Sequence, residues 1–374
     1  MPRILLLHAT VGTGHKRAAE ALQVAFERRQ PGEVRVEDVL DYAPPLFQQA
    51  YAKSYLDITN KAPLVWGYFY HQTEVDPTVS EFVNNIRKLV EGVSVIQLKD
   101  VLRSFQPDAI ICTHFLPVEM LLSLKNKGEL QQPVYCVVTD YSAHTFWANP
   151  GLDGYFVGAE HTRDQLIARG IHESAIRITG IPIDPTVAEP KDPADMRQAH
   201  GFTKPGPLIT LFGGGIETSH VREIVEDLLA TDIEGTLVVV AGRNEQLATA
   251  LNDLQSSPRL ELQVLGLIDY VDDLIVASDL IITKSGGLIV SEVLARNVPM
   301  LVIDPIPGQE EWNADYVVSS GAGIQLRMTY MVAKAVKRLL AQPEMLKAMR
   351  ANSAMIARPR AASTVVDYVL ADLE

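Results

Sequence analysis

Short runs of consecutive apolar residues, each followed by a glycine turn or a helical pattern, recur along this chain in two series. Ile4–His8 is the first run, and Lys16–Arg29 follows with Ala18, Ala19, Ala21, Leu22, Ala25 and Phe26 at helical spacing. Val34–Val39, Ala109–Thr113 and Val134–Thr139 come next, with shorter candidates at Gly154–Val157 and Ile176–Thr179. The pattern then restarts with Leu208–Phe212, Thr236–Ala241, Leu262–Leu265, Leu280–Thr283 and Met300–Ile303. Helical segments fit between these at His220–Leu229, Asn244–Leu254, Val271–Ala277, Leu288–Arg296 and Ala314–Ser320, and a helical tail follows at Met331–Leu340, Glu344–Arg358 and Ala361–Leu373. An apolar run without polar alternation is a strand covered on both faces, which is how parallel sheets are built. The expected class is therefore α/β, with one doubly wound, Rossmann-like parallel sheet in each half. The proline-, glycine- and charge-rich stretch from Gly180 to Pro207 reads as the join. The expected domains are 1–180 and 181–358, with a C-terminal helix over 359–374 packing back on the first.

Length supports the division, since 374 residues exceed a typical single core. The two cysteines, Cys112 and Cys136, both lie in apolar runs and read as buried thiols, which leaves no disulfide framework and no cysteine-based metal site. The apolar run after Met1 is too short for a signal peptide, and nothing approaches the ~18 apolar residues that span a bilayer. The expectation is a cytoplasmic protein, peripheral on the inner face of the cell membrane if it meets one. A net charge of −13 argues against nucleic acid as a partner. The charge is uneven: residues 1–165 hold 15 Lys and Arg against 19 Asp and Glu, and the remainder 18 against 27.

Three glycine-bearing turns carry candidate chemistry. In Gly12-Thr13-Gly14-His15 the glycines let the backbone turn sharply, and His15 falls in the first turn of a helix. The positive end of the helix dipole disfavours imidazolium, so a neutral His15 suits a general base; a capping histidine in a tight turn is the plainer alternative. Gly213-Gly214-Gly215 follows a strand and opens a helix, which reads as an anion-binding nest or as a tight structural turn. The longest motif is Thr283-Lys284-Ser285-Gly286-Gly287, then Ser291-Glu292, then Pro307-Gly308-Gln309-Glu310 and Asn313. A carboxylate at Glu292 can accept both hydroxyls of a ribose, or be a solvated helix residue; Gln309 and Glu310 suit sugar hydroxyls, or cap a helix start.

With these residues in view, the chain resembles family 28 glycosyltransferases of the GT-B fold, two Rossmann-like domains facing a central cleft. Within that family it is similar to the monogalactosyldiacylglycerol synthases and bacterial processive diacylglycerol glucosyltransferases. The stretches that carry the resemblance are GTGHKRAAEAL near the start, PVYCVVTDYSAHTFW at 133–147, TGIPID at 179–184 and TKSGGLIVSEVLARNVPMLVIDPIPGQEEWNA at 283–314. The resemblance implies a donor domain in which Gly213, Gly214, Gly215, Ser285, Gly286 and Gly287 face the diphosphate of a UDP-sugar. It implies uracil beside Leu267, ribose on Glu292, hexose on Gln309 and Glu310, and phosphate near Arg243. His15 would serve the acceptor hydroxyl from the first domain, with Gly12, Gly14, Asp140 and His144 on the acceptor side. Ile289 stands where the family usually has a threonine two residues after the glycine pair, so one phosphate-facing hydroxyl is missing.

The reaction so implied is an inverting transfer of glucose or galactose from a UDP-hexose to the hydroxyl of diacylglycerol, giving a glycolipid. No D-x-D motif offers a metal a seat, so no cofactor or metal is expected, and loop amides with Arg243 would stabilise the leaving diphosphate. The segment Tyr42–His71 is the densest aromatic stretch, which favours a bilayer interface or a packed helical insertion; Trp66, Phe69 and Tyr70 are the expected membrane contacts. Transfer of N-acetylglucosamine to a polyprenyl-diphosphate lipid, nucleotide-sugar epimerisation and non-catalytic nucleotide-sugar binding are the alternatives.

Overall fold

A computed structural model describes residues 2–10, 12–29, 32–42, 63–75 and 96–374. The chain divides into two compact units: Met1–Thr186 with Ile306–Trp312 and Arg360–Glu374, and Val187–Pro305 with Asn313–Pro359. Each is built on one six-stranded sheet with every strand pair parallel. Residues 43–62 and 76–95, with much of the aromatic segment, lie outside the described residues.

The first sheet comprises β1 (Arg3–His8), β2 (Glu33–Asp38), β3 (Ala109–Cys112), β4 (Val134–Val137), β5 (Gly154–Val157) and β6 (Ile176–Ile178). Their order is β2-β1-β3-β4-β5-β6. Alternation along β1 separates two cores: Ile4 and Leu6 join one cluster, Leu5 and Leu7 the other. On the first face, helix Gly14–Arg29 contributes Ala19, Leu22, Ala25 and Phe26, and the C-terminal helix Ala361–Leu373 contributes Ala362, Val365, Val366 and Val369. On the second face, helix Phe115–Asn126 lays down Leu116, Val118, Met120, Leu121 and Leu124.

The second sheet comprises β7 (Leu208–Phe212), β8 (Gly235–Val240), β9 (Leu260–Leu265), β10 (Leu280–Thr283), β11 (Met300–Ile303) and β12 (Gly323–Leu326), in the order β12-β11-β10-β7-β8-β9. The stretch taken as the join is more structured than its composition suggests. Asp192 caps helix Pro193–Ala199 by accepting the Ala194 N–H at 2.8 Å, with proline at the first helical position. Arg197 then bonds Asp279 at 2.7 Å, and Lys191 spans Asp272 at 2.6 Å and Asp273 at 2.5 Å, fixing this segment within the second unit.

The stretch Ile306–Trp312 packs with the first unit, and two glycines permit it. A Cβ at Gly67 would stand 2.5 Å from the Pro307 Cβ. Gly308 has φ +91°, and a Cβ there would stand 2.6 Å from the Tyr70 ring. Tyr70, expected as a membrane contact, is instead 8% exposed, with its ring 4.1 Å from His144 and 5.4 Å from Trp312. Its neighbour Tyr68, on helix Pro63–Val75, is 69% exposed. The Trp66 and Phe69 side chains lie outside the described residues.

Val366 is fully buried between the C-terminal helix and the first sheet, so Val366→Ala removes two methyl groups from a filled core. We expect about 2 kcal/mol of destabilisation, confined to the first unit. Urea unfolding followed by hydrogen exchange reads the units separately; equal loss of protection in both, or in neither, would contradict this packing.

Candidate functional site

In a doubly wound sheet ligands bind beyond the carboxyl ends of the strands, where the strand order reverses. In the first unit that point lies between β1 and β3, which leave in opposite directions to β2 and β4. The loop after β1 carries Gly12, at φ +82° and exposed with nothing within 4 Å of its Cβ position, so handedness rather than space requires glycine there. Gly14 opens the helix and His15 follows it.

His15 is tied across the switch point. Its Nδ1 lies 2.8 Å from the carbonyl oxygen of Thr113, just past β3, and 3.0 Å from Oγ1 of Thr139, past β4. The Thr113 hydroxyl returns a bond to the His15 carbonyl at 2.8 Å. A carbonyl only accepts, so Nδ1 carries the proton and the lone pair stands on Nε2. Burial pushes the His15 pKa from 6.5 to about 4; the Thr113 carbonyl opposes the shift and nearby His8 adds to it. The His114 ring stands edge-on at 4.5 Å, and its own Nδ1 caps helix Phe115–Asn126 by accepting the Leu116 N–H. The sequence singled out His15 but neither Thr113 nor Thr139; the signal available was a threonine ending each of two apolar runs.

His144, expected on the acceptor side, is buried and held on both ring nitrogens. Nδ1 accepts the Phe146 N–H at 3.2 Å, so Nε2 carries the proton, directed at the Thr73 hydroxyl at 3.1 Å and the Tyr70 carbonyl at 3.2 Å. Its observed contacts fix helix Pro63–Val75 to the loop after β4. Asp140 is partly buried in that same loop.

In the second unit the switch point lies between β7 and β10, whose ends bring this unit's two glycine loops together: a Cβ on Gly215 would stand 4.0 Å from Lys284 Cδ. None of Gly213, Gly214 and Gly215 has a positive φ, so the loop is not the alternating-handed nest its composition suggested. Space demands glycine instead. A Cβ on Gly213 would stand 2.9 Å from Leu247, and one on Gly214 3.0 Å from the Ala241 carbonyl. The Gly213 N–H is used by Val240 O, while Gly214 and Gly215 are exposed.

Gly286 forms the extended N-cap of helix Gly287–Ala295, with Ser285 fully buried beside it. Glu292 on that helix is buried, not the solvated residue that the plainer reading allows. The loops after β8 and β9 end the same edge with exposed Arg243, which follows Gly242 at φ +61°, and Leu267, 69% exposed. Gln309 starts helix Gln309–Ser319, and Glu310 closes its first turn by accepting the Ile306 N–H at 2.7 Å. Both stand on the segment that packs with the first unit.

Two doubly wound parallel units, each with a glycine-bearing loop at its own switch point, make up the GT-B fold. The family model for monogalactosyldiacylglycerol (MGDG) synthase matches residues 15–183, and that for the glycosyltransferase family 28 C-terminal domain matches residues 208–365. The chain belongs to the family 28 glycosyltransferases, in the branch of the monogalactosyldiacylglycerol synthases and processive diacylglycerol glucosyltransferases. A processive diacylglycerol β-glucosyltransferase of Bacillus mycoides is 29% identical over 375 residues, covering 99% of this chain and 94% of the relative. The fold is shared with Acinetobacter baumannii MurG (16% identity, TM-score 0.64, covering 99% of each chain). It is shared too with Staphylococcus aureus MnaA in complex with UDP (18% identity, TM-score 0.65, covering 100% of this chain and 98% of that one).

The His15 geometry has a measurable sign. Its folded pKa lies below the unfolded value, so the unfolded chain binds the proton first as pH falls; this contribution to stability is complete above 6.5 and is lost toward about 4. Imidazole NMR should show His15 as the Nδ1–H tautomer at neutral pH, with a midpoint near 4. A midpoint at 6.5 would show that the ring is not enclosed as described.

Proposed function

We propose that this enzyme moves a hexose, glucose or galactose, from a UDP-sugar to the hydroxyl of diacylglycerol with inversion at the sugar carbon. The observation that carries the reading is the match of residues 15–183 to the MGDG synthase model, because that half distinguishes a lipid-acceptor enzyme from other bearers of the fold. The epimerase alternative has only fold-level likeness behind it.

In this reading the acceptor oxygen attacks C1 of the hexose while the bond from C1 to the diphosphate oxygen breaks. UDP leaves with the bonding electrons, and the hydroxyl proton passes to His15 Nε2. The Nδ1–H bond to the Thr113 carbonyl supports the role, since it aims the ring and leaves that lone pair unprotonated. Gly12 and Gly14 shape the loop that presents it; Asp140 is assigned to the acceptor side, and His144 supports that side through the loop it holds.

On the donor side, Gly213, Gly214, Gly215, Ser285, Gly286 and Gly287 are assigned to the diphosphate, with Arg243 neutralising developing charge. Leu267 is assigned to uracil, Glu292 to the ribose, and Gln309 and Glu310 to the hexose. Burial of Glu292 supports its part, because a carboxylate drawn out of water gains most from two hydroxyl donors. The reading needs no metal: amides and Arg243 act as preorganised dipoles on the leaving group. Among the described residues no helix is long and apolar enough to cross a membrane. We place the enzyme in the cytoplasm, peripheral on the inner face of the cell membrane, with Trp66, Phe69 and exposed Tyr68 toward lipid.

A transfer assay with UDP-glucose, UDP-galactose and UDP-N-acetylglucosamine against micellar diacylglycerol tests this directly. We expect glycolipid from one of the two hexose donors, unaffected by EDTA. His15→Ala should lower kcat by roughly 10²–10⁴-fold with UDP binding unchanged. Glu292→Gln should weaken UDP binding about tenfold, as loss of one charge-assisted contact implies. Glycolipid formed at the normal rate by His15→Ala would remove that residue from the chemistry; UDP release without glycolipid would remove diacylglycerol.

A further inference from the structure

The second unit carries a surface that the donor site does not use. Residues 327–359 hold seven Lys and Arg against one Asp or Glu, in a chain whose net charge is −13. The segment begins where β12 ends. Arg327 and Met328 lead into a single 3-10 turn, Thr329–Met331, and helix Val332–Leu340 follows at once. That helix has already spent its apolar stripe: Val332, Ala333, Val336 and Leu339 are buried in the second unit's core. Its other side shows Lys334, Lys337 and Arg338 to solvent.

A charged outer helix face ordinarily needs no explanation. What stands ahead of it does, because Met328 and Tyr330 are each 55% exposed and Met331 40%. Three large apolar residues within four positions project from a turn, with Arg327 on one side and the lysines on the other. Spacings of three and seven set Met331, Lys334 and Arg338 along one line of the helix. Anionic groups border this surface on one edge, where Lys337 pairs with Asp232 at 2.7 Å and the Thr329 hydroxyl bonds Glu223. Arg327, Lys334 and Arg338 are exposed beyond these pairs.

We propose that the turn 327–331 and the exposed face of helix Val332–Leu340 form a docking surface for an anionic bilayer. Met328, Tyr330 and Met331 enter the headgroup boundary, and Arg327, Lys334 and Arg338 meet lipid phosphates. Unbranched methionines and a tyrosine with a polar tip suit that depth, where one end of a side chain is dry and the other wet. Each cation near such a surface contributes about fivefold to partitioning, so three together contribute roughly a hundredfold. An acidic protein partner would employ the cations and leave the wedge without a role. The purpose of this surface rests on the lipid-acceptor reading; its existence does not.

The test uses the full chain and sedimentation with phosphatidylcholine vesicles, with and without roughly 30 mol% phosphatidylglycerol, at low and at raised salt. Wild type should prefer the anionic vesicles and lose that preference in salt. The triple variant Arg327→Glu, Lys334→Glu, Arg338→Glu should bind them at least a hundredfold less. Met328→Ser, Tyr330→Ser, Met331→Ser should lose the binding that survives salt. Both variants should keep the wild-type melting transition and the turnover of micelle-dispersed acceptor. Wild-type partitioning by both variants would overturn the proposal, as would a wild type indifferent to phosphatidylglycerol. If reversal variants fail to melt normally, Lys334→Gln with Arg338→Gln replaces them, and about twenty-fivefold weaker binding is the expected result. Absence of glycolipid from any form, with the vesicle differences intact, would sink the transferase reading and leave this surface standing.

Discussion

Parallel pairing is the constraint on which the rest of the molecule depends. Each parallel neighbour must be reached by a crossover, so all six strands of a sheet deliver their carboxyl ends to the same edge. The loops after β1, β3 and β4 are therefore neighbours in space though far apart in sequence, and His15, Thr113 and Thr139 meet there. In the second unit the same rule places the loops after β7, β8, β9 and β10 along one edge. The orders β2-β1-β3 and β10-β7-β8 each open a gap where the two neighbouring crossovers run to opposite sides, and the glycine turns stand at those gaps. A functional edge in each unit is thus a consequence of topology before any individual side chain is considered.

Most strands were legible because their runs are apolar without interruption. Leu208–Phe212, Leu280–Thr283 and Met300–Ile303 fall where the pattern puts them. What escaped had weaker signals of identifiable kinds. β12 reads Gly-Ile-Gln-Leu and lies half-covered at the sheet edge, so it has neither a full apolar run nor clean alternation. Helix Phe115–Asn126 is apolar on most of its circumference and has a proline in its first turn, so no polar face marks it as a helix. Helix Pro193–Ala199 is polar and short, and its existence depends on an Asp192 cap and on ion pairs to residues some eighty positions away.

The candidate site divides the same way. His15 and the glycine turns announce themselves locally, whereas the partners of His15 arrive from strands nearly a hundred and more than a hundred residues on. Composition also misled in two specific ways. Three consecutive glycines suggested a nest of alternating handedness, but none has a positive φ, and Gly213 and Gly214 are small because Leu247 and Ala241 crowd them. Tyr70 was expected at a membrane face with the rest of the aromatic run, but it packs on His144 and Trp312, which only the folded chain brings near.

The partner that holds His15 shapes what the residue can do. A carboxylate on Nδ1 would orient the ring and also stabilise the imidazolium, raising the pKa toward neutrality. The Thr113 carbonyl orients it with far less of that effect, and burial then carries the pKa down to about 4. Such a ring is a weak base at rest and cannot withdraw a proton from an alcohol standing free. It is also fully unprotonated at cellular pH, so none of the enzyme is lost to an imidazolium form. In the proposed displacement the acceptor hydroxyl becomes strongly acidic only as its oxygen bonds to the sugar carbon, and a weak, correctly aimed base is then sufficient. In the proposed reading, proton transfer therefore belongs late in the step, coupled to departure of the diphosphate, rather than to prior formation of an alkoxide.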